Sequence, residues 1–160
     1  MADPLYHHDS YLDRFEATVT DRRTTENGVL ELSLNRTGFY PEGGGQPCDT
    51  GWLGDSRVTA VRKDEHGEVW HAVDSDPGDG LLEGRIDWSR RFDYMQQHTG
   101  QHILSACFLG VARFETVSVH QGSEYTTIEF AATSCPAEVE LDIEEMANRI
   151  IKECRPVRSF

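Results

Sequence analysis

The sequence predicts an α+β fold, with a β-rich first half and an α/β second half. Three observations predict it. Apolar residues alternate with polar ones in short runs up to about residue 73. A single face with three- and four-residue spacing then links Met95, His98, Thr99, His102, Ile103 and Ala106. A second such face follows after Asp142.

Taken in order, Phe15, Ala17 and Val19 form one period-two strand, and Leu30, Leu32 and Leu34 form its partner after the turn signal Glu26-Asn27-Gly28. Val58 to Val61 and Val69 to Val73 flank Asp64-Glu65-His66-Gly67 as a second hairpin. Short strands at this spacing suggest a small barrel or sandwich. Asp74 to Gly80 reads as a connecting loop, which sets a boundary near residue 80. Leu81 to Ile86 reads as one more strand before a helix that starts near Asp87 or Ser89 and runs to about Leu109, with Gly110 as its stop. Strands Thr116 to His120 and Tyr125 to Phe130 follow, joined through Gln121-Gly122-Ser123-Glu124. A last helix is expected from Asp142, capped with the help of Glu145, and ended by Pro156. Its apolar face is Ile143, Met146, Ile150 and Cys154.

The composition narrows the function classes. The chain has 160 residues, room for one compact domain or two small ones. No apolar run approaches a membrane span, and Met-Ala-Asp-Pro-Leu-Tyr is not the start of a secretory signal, so the expectation is a soluble cytoplasmic protein without a membrane partner. Cys48, Cys107, Cys135 and Cys154 are far apart with no CxxC pair, and reduced thiols are expected. A formal net charge of −13 opposes non-specific binding to DNA or RNA. A local patch can override the mean, and Arg85, Arg90 and Arg91 are the candidate.

Two segments carry chemistry. In His98-Thr99-Gly100-Gln101-His102 the histidines lie one helical turn apart on one face, about 5–6 Å between Cβ atoms, so their nitrogens can converge on one zinc ion. Gln101 replaces the glutamate that a zinc protease uses as general base. The run Glu42-Gly43-Gly44-Gly45-Gln46-Pro47 serves equally as a tight turn or as backbone that a ligand can approach closely; it is neither a P-loop nor a dinucleotide fingerprint. Cys48 follows this run, but no base is paired with it in sequence, which makes a nucleophilic role the minority reading.

Together the segments resemble a known family. Phe39-Tyr40-Pro41-Glu42-Gly43-Gly44-Gly45-Gln46-Pro47-Cys48-Asp49-Thr50-Gly51 resembles the FYPxxGGQPxDxG signature of alanyl-tRNA editing domains. Asp87 to Arg91 and Met95 to Ala106 resemble that family's zinc helix, and Glu145 to Ile151 with Pro156-Val157 is also similar, so the resemblance covers essentially the whole chain. It implies a small N-terminal β-barrel carrying the glycine-rich motif (1–80), packed on an α/β zinc-binding editing domain (81–160), with the site between them. It also implies an aminoacyl-tRNA hydrolase that removes serine, and also glycine, from the acceptor end of the alanine tRNA. The barrel strands begin within the first twenty residues, where a full synthetase would have its synthetic domain, so the stand-alone form acting in trans is expected. The implied roles are zinc on His98 and His102, catalysis by Gln46, substrate binding by Gly43, Gly44 and Gly45, and a serine-reading hydroxyl from Thr37 or Thr50. The editing domain of threonyl-tRNA synthetase shares the HxxxH half but is not marked by the glycine-rich signature.

The pattern breaks at one place. The family completes its zinc site with a downstream CxxxH, whereas here Cys154 is followed four residues later by Arg158 and Cys135 by Val139. The expectation is a C-terminally incomplete chain. The alternatives are a third ligand from His120, His71 or Cys48, or lost metal binding. A non-catalytic module holding the tRNA acceptor end is the rival function, and another metal-dependent hydrolase on the same scaffold is a further one.

Overall fold

The computed structural model describes residues 2–122 and 124–157. The chain divides into two compact units, Met1–Tyr94 and Met95–Phe160. The first contains β1 (Asp3–Pro4), β2 (Arg14–Ala17), β3 (Val19–Thr24), β4 (Leu30–Leu34), β5 (Arg36–Thr37), β6 (Gly51–Leu53), β7 (Ser56–Lys63), β8 (Val69–Val73) and β9 (Leu82–Ile86). Helix α1 (Trp88–Ala112) begins in this unit and continues into the second, which holds β10 (Thr116–Gln121), β11 (Thr126–Phe130) and α2 (Ala137–Lys152). Among the described residues, no helix is long and apolar enough to cross a membrane.

Seven strands form one antiparallel sheet in the order β2-β9-β6-β7-β8-β4-β3. Its two edge strands, β2 and β3, are separated in sequence by Thr18 alone, so the sheet has to curl back on itself. The result is a curled, half-barrel sheet. The inward side chains follow the alternation in the sequence: Phe15, Ala17, Leu32, Leu34, Leu53, Val58, Val61, Val73 and Ile86 are buried in one core with Phe39 and Cys48. The β7–β8 hairpin forms as expected across Asp64 to Gly67, whereas the hairpin across Glu26-Asn27-Gly28 joins β3 to β4 from Val19 onward only: Phe15 and Ala17 belong to β2, which pairs with β9 and not with β4. The expected strand after the acidic loop is β9, and it pairs with β2 and β6 of this sheet. Strand β6 lacked a sequence signal, being three residues long and attached to the glycine-rich segment.

In the second unit α1 and α2 share a core of Cys107, Ile143 and Ala147, with Ile103, Leu104, Phe108, Val139, Met146 and Ile150 packed against it. The β10–β11 hairpin stacks Phe130 on Phe108 of α1, with ring centroids 4.0 Å apart. Ser123 of its connection lies outside the described residues. Three helix ends differ from expectation. Helix α1 passes through Gly110 and ends at Ala112, where Arg113 turns left-handed at φ 61°. Helix α2 begins five residues before Asp142: Pro136 occupies the N-cap position without a side-chain bond, its carbonyl accepting the Glu140 N–H at 3.1 Å, while Glu138 and Glu140 favour the N-terminal turn and Val139 gains a place in the core. It ends at Lys152, so Cys154 is exposed beyond the helix and not on its apolar face.

Candidate functional site

The glycine-rich segment folds as a tight exposed turn. The Gly43 N–H donates to the Gln46 carbonyl at 3.2 Å, and the Gln46 N–H returns to the Gly43 carbonyl at 3.0 Å. Gly44 and Gly45 between them have φ of 61° and 80°, the doubly left-handed pattern of a type I′ turn, which an L side chain adopts only at a cost. A Cβ on Gly43 or Gly44 would meet nothing within 4 Å, so the backbone faces open space. Gln46 is half-buried at the end of the turn, as is Thr50 further along. The last residue of the motif, Gly51, is required by close approach: a Cβ there would lie 2.1 Å from the Arg85 carbonyl oxygen and 2.8 Å from Phe39.

A buried ion pair anchors the base of this turn. The Arg91 Nε donates to both oxygens of Asp49 at 3.0 Å, and its Nη2 makes a further short bond to Asp49 Oδ2. The remaining guanidinium donors reach the Ser10 carbonyl at 3.0 Å and the Gly38 carbonyl at 2.7 Å. Asp49 Oδ2 also accepts the Tyr40 N–H at 2.6 Å, and the Asp49 N–H donates back to the Tyr40 carbonyl at 2.9 Å. Both charged side chains are only 4% exposed, so the pair is fully desolvated yet fully hydrogen-bonded. One residue earlier, Arg90 Nε donates to the Cys48 carbonyl at 2.9 Å and its guanidinium lies over the Tyr94 ring. The first turn of α1 is thus bolted to the glycine-rich segment.

Thr37 lies inside the curled sheet, fully buried, and not on the open side of the turn. His71, also fully buried, binds the Leu32 carbonyl through Nδ1 at 3.0 Å and Thr37 Oγ1 through Nε2 at 2.8 Å. Since a carbonyl only accepts, Nδ1 carries the proton and Nε2 accepts from the threonine hydroxyl. Thr37 Oγ1 in turn accepts the Phe39 N–H at 3.1 Å. Burial pushes the His71 imidazole down to about 4, because the charged form has lost its water; the Leu32 carbonyl and the Glu68 carboxylate oppose this only in part. Both ring nitrogens are committed, which removes His71 as a zinc ligand.

His98 and His102, both exposed on α1 in the second unit, stack with ring centroids 4.9 Å apart and an interplanar angle of 26°. Partial burial, and then the neighbouring His102, hold the His98 imidazole below its ordinary range, which favours the neutral form that binds metal. A catalytic zinc normally takes three protein ligands. Among the described residues no three His, Cys, Asp or Glu side chains converge, so no third donor of this kind stands beside the two histidines. Cys48 is buried in the core of the first unit, which leaves it poorly placed as a nucleophile.

No family model matches the chain. Individual relatives do. The alanyl-tRNA editing protein AlaX-M of Methanosarcina barkeri is 32% identical over 172 residues, a match that takes in the whole chain and 69% of that relative. The chain belongs to the alanyl-tRNA editing proteins. Aarsd1-B of Xenopus laevis, another alanyl-tRNA editing protein, is 40% identical over 85% of the chain and 33% of its own length. The alanine–tRNA ligase of Ignicoccus hospitalis is 36% identical over 98% of the chain, which spans 18% of that enzyme.

Within this member of the editing family, the basic patch expected at Arg85, Arg90 and Arg91 does not form. Arg91 is buried against Asp49 and Arg90 is spent on Cys48 and Tyr94, leaving Arg85 exposed. The Asp49–Arg91 anchor is the feature that sequence reasoning missed. Its only sequence signal is that one partner lies in the glycine-rich motif and the other in the segment that opens α1.

Proposed function

We propose that the chain hydrolyses misacylated alanine tRNA in trans, removing serine and also glycine from the acceptor end, in the cytoplasm where translation runs. The observation that carries this reading is the similarity to AlaX-M along the whole chain, in a relative named for alanyl-tRNA editing.

The reaction is ester hydrolysis. Water adds to the aminoacyl carbonyl carbon, an oxyanion forms, and the acyl–oxygen bond breaks to release the amino acid and the ribose hydroxyl. Gln46 is assigned the catalytic contact: its carboxamide N–H groups donate to the developing oxyanion, and its oxygen orients the attacking water or the substrate ammonium. The glycine turn supports this role, because its backbone can be approached without interference from side chains. Gly43, Gly44 and Gly45 are therefore proposed as the substrate-binding backbone. Serine is told from alanine by a hydrogen bond to its hydroxyl, since a polar site left unpaired by alanine costs binding. Thr50 is half-buried and is one candidate for that contact. Thr37 is the other, although it is fully buried: its hydroxyl donates to His71 Nε2 and accepts the Phe39 N–H, which leaves one lone pair. His98 and His102 are proposed as two ligands of a zinc ion, which would supply Lewis-acid chemistry when bound.

Deacylation of serine- and alanine-charged alanine tRNA tests the proposal, with loss of the serine ester alone as the expected result. That no third such donor joins His98 and His102 among the described residues favours one second reading, a module that holds the acceptor end without cleaving it. That reading predicts tRNA binding with the serine ester left intact.

A further inference from the structure

The outer face of the curled sheet carries a continuous row of side chains that the editing chemistry does not use. Cross-strand register sets Arg14 of β2 opposite Arg85 of β9, Arg85 opposite Trp52 of β6, and Trp52 opposite Arg57 of β7. Four adjacent strands therefore present Arg–Arg–Trp–Arg in a line about 14 Å long, at the usual strand spacing. The Arg57 guanidinium lies over the Trp52 indole, 5.3 Å from its centroid, and the indole is still 39% exposed.

We propose that this row is the RNA-binding surface of the chain, with the three arginines on backbone phosphates and Trp52 stacked on an unpaired base. It deepens the editing reading, on which it rests, by naming where the acceptor end is held. The chain carries a net charge of −13, so phosphate has to be met by a local concentration of guanidinium groups. The acidic neighbours of the row are Glu83, Asp87 and Glu16, which lies opposite Glu83 on the same face; Glu83 and Glu16 are exposed and Asp87 is half-buried. Glu83 contacts Arg14 at 2.9 Å and Arg85 at 3.7 Å, and Asp87 lies 3.7 Å from Arg57. The solvent-exposed pairs of Glu83 with Arg14 and Arg85 contribute little to stability, and the Asp87–Arg57 contact is long at 3.7 Å, so the guanidinium groups can exchange them for phosphate oxygens. A tryptophan flanked by arginines on a sheet face is also the arrangement by which sequence-tolerant proteins hold single-stranded RNA, through stacking together with charge. The acceptor end of a tRNA, a short duplex running into an unpaired 3′ tail, offers both chemistries.

The test measures binding of an alanine-tRNA acceptor-stem RNA with its 3′ tail to the full chain, across a salt series. Trp52→Ala is expected to weaken binding about tenfold, with Trp52→Phe recovering most of it. Arg85→Gln and Arg14→Gln are each expected to flatten the dependence of log affinity on log salt by about one. Lys63→Gln removes the same charge from an exposed site at the far end of β7 and is expected to do much less. Wild-type binding that none of the row variants changes would overturn the surface while leaving the editing reading intact. Equal weakening by Lys63→Gln would also overturn it, since net charge would then be the cause. Failure of the folded wild type to bind the RNA at all would sink the editing reading itself, and the surface with it.

Discussion

Replacing Asp49 by asparagine should destabilise the first unit far more than any exposed charge would. The substitution keeps the shape of the side chain but removes its charge, and it leaves the Arg91 guanidinium buried at 4% exposure with only the Ser10 and Gly38 carbonyls and a neutral amide as partners. Stranding one member of a buried pair costs about 3–5 kcal/mol. In a protein of this size that lowers Tm by about 10 °C or more. Urea denaturation followed by tryptophan fluorescence is the assay, because Trp52, Trp70 and Trp88 all belong to the first unit and report on it directly. A double variant, Asp49→Leu with Arg91→Met, removes both charges and should lose much less than the sum of the single variants. A loss below about 1 kcal/mol for Asp49→Asn, the range of a solvent-screened pair, would refute the reasoning. The turn would then have to be held by its backbone hydrogen bonds alone.

Acid should weaken the fold through His71. Its folded-state value of about 4 lies below the ordinary 6.5, so the contribution is fully present above about pH 6.5 and is lost as pH falls from there towards 4. By pH 5 the loss should reach about 2 kcal/mol. Urea midpoints at pH 7 and pH 5 should show it in the wild type, and this component should disappear in His71→Phe. Gly44→Ala should cost about 1–2 kcal/mol from backbone strain alone, since φ is 61° and the space around a Cβ is open; thermal melts check this. Gln46→Ala should slow release of serine by about a hundredfold or more with little change in Tm, as measured by single-turnover deacylation.

The strands were legible because the sheet buries one face. Phe15, Ala17, Leu32 and Leu34 alternate in sequence and point into one core, and the turn signals at Asn27-Gly28 and Gly67 fall where the chain reverses. The short strands β1, β5 and β6 were not legible, since two or three residues are too few to show a period. The start of α2 was misplaced because Asp142 and Glu145 satisfy a capping pattern locally, whereas packing of Val139 against α1 extends the helix by more than a turn. At the candidate site, the residue types were legible and their partners were not. Arg91 reads as part of a basic cluster, and only the fold reveals that its charge is consumed by Asp49, 42 positions away. Likewise Arg14, Trp52, Arg57 and Arg85 lie in four separate strands, and register alone brings them into line.

The histidine pair on α1 remains two nitrogen donors on one helix face, and the glycine turn a separate feature of the first unit. The proposed function assigns both to the hydrolysis of one ester. The most direct measurement is therefore release of labelled amino acid from serine-charged and alanine-charged alanine tRNA by the folded chain, with zinc supplied. Serine should be freed well above the uncatalysed rate while alanine stays attached. A folded chain that binds the tRNA but leaves its serine ester intact would contradict the account.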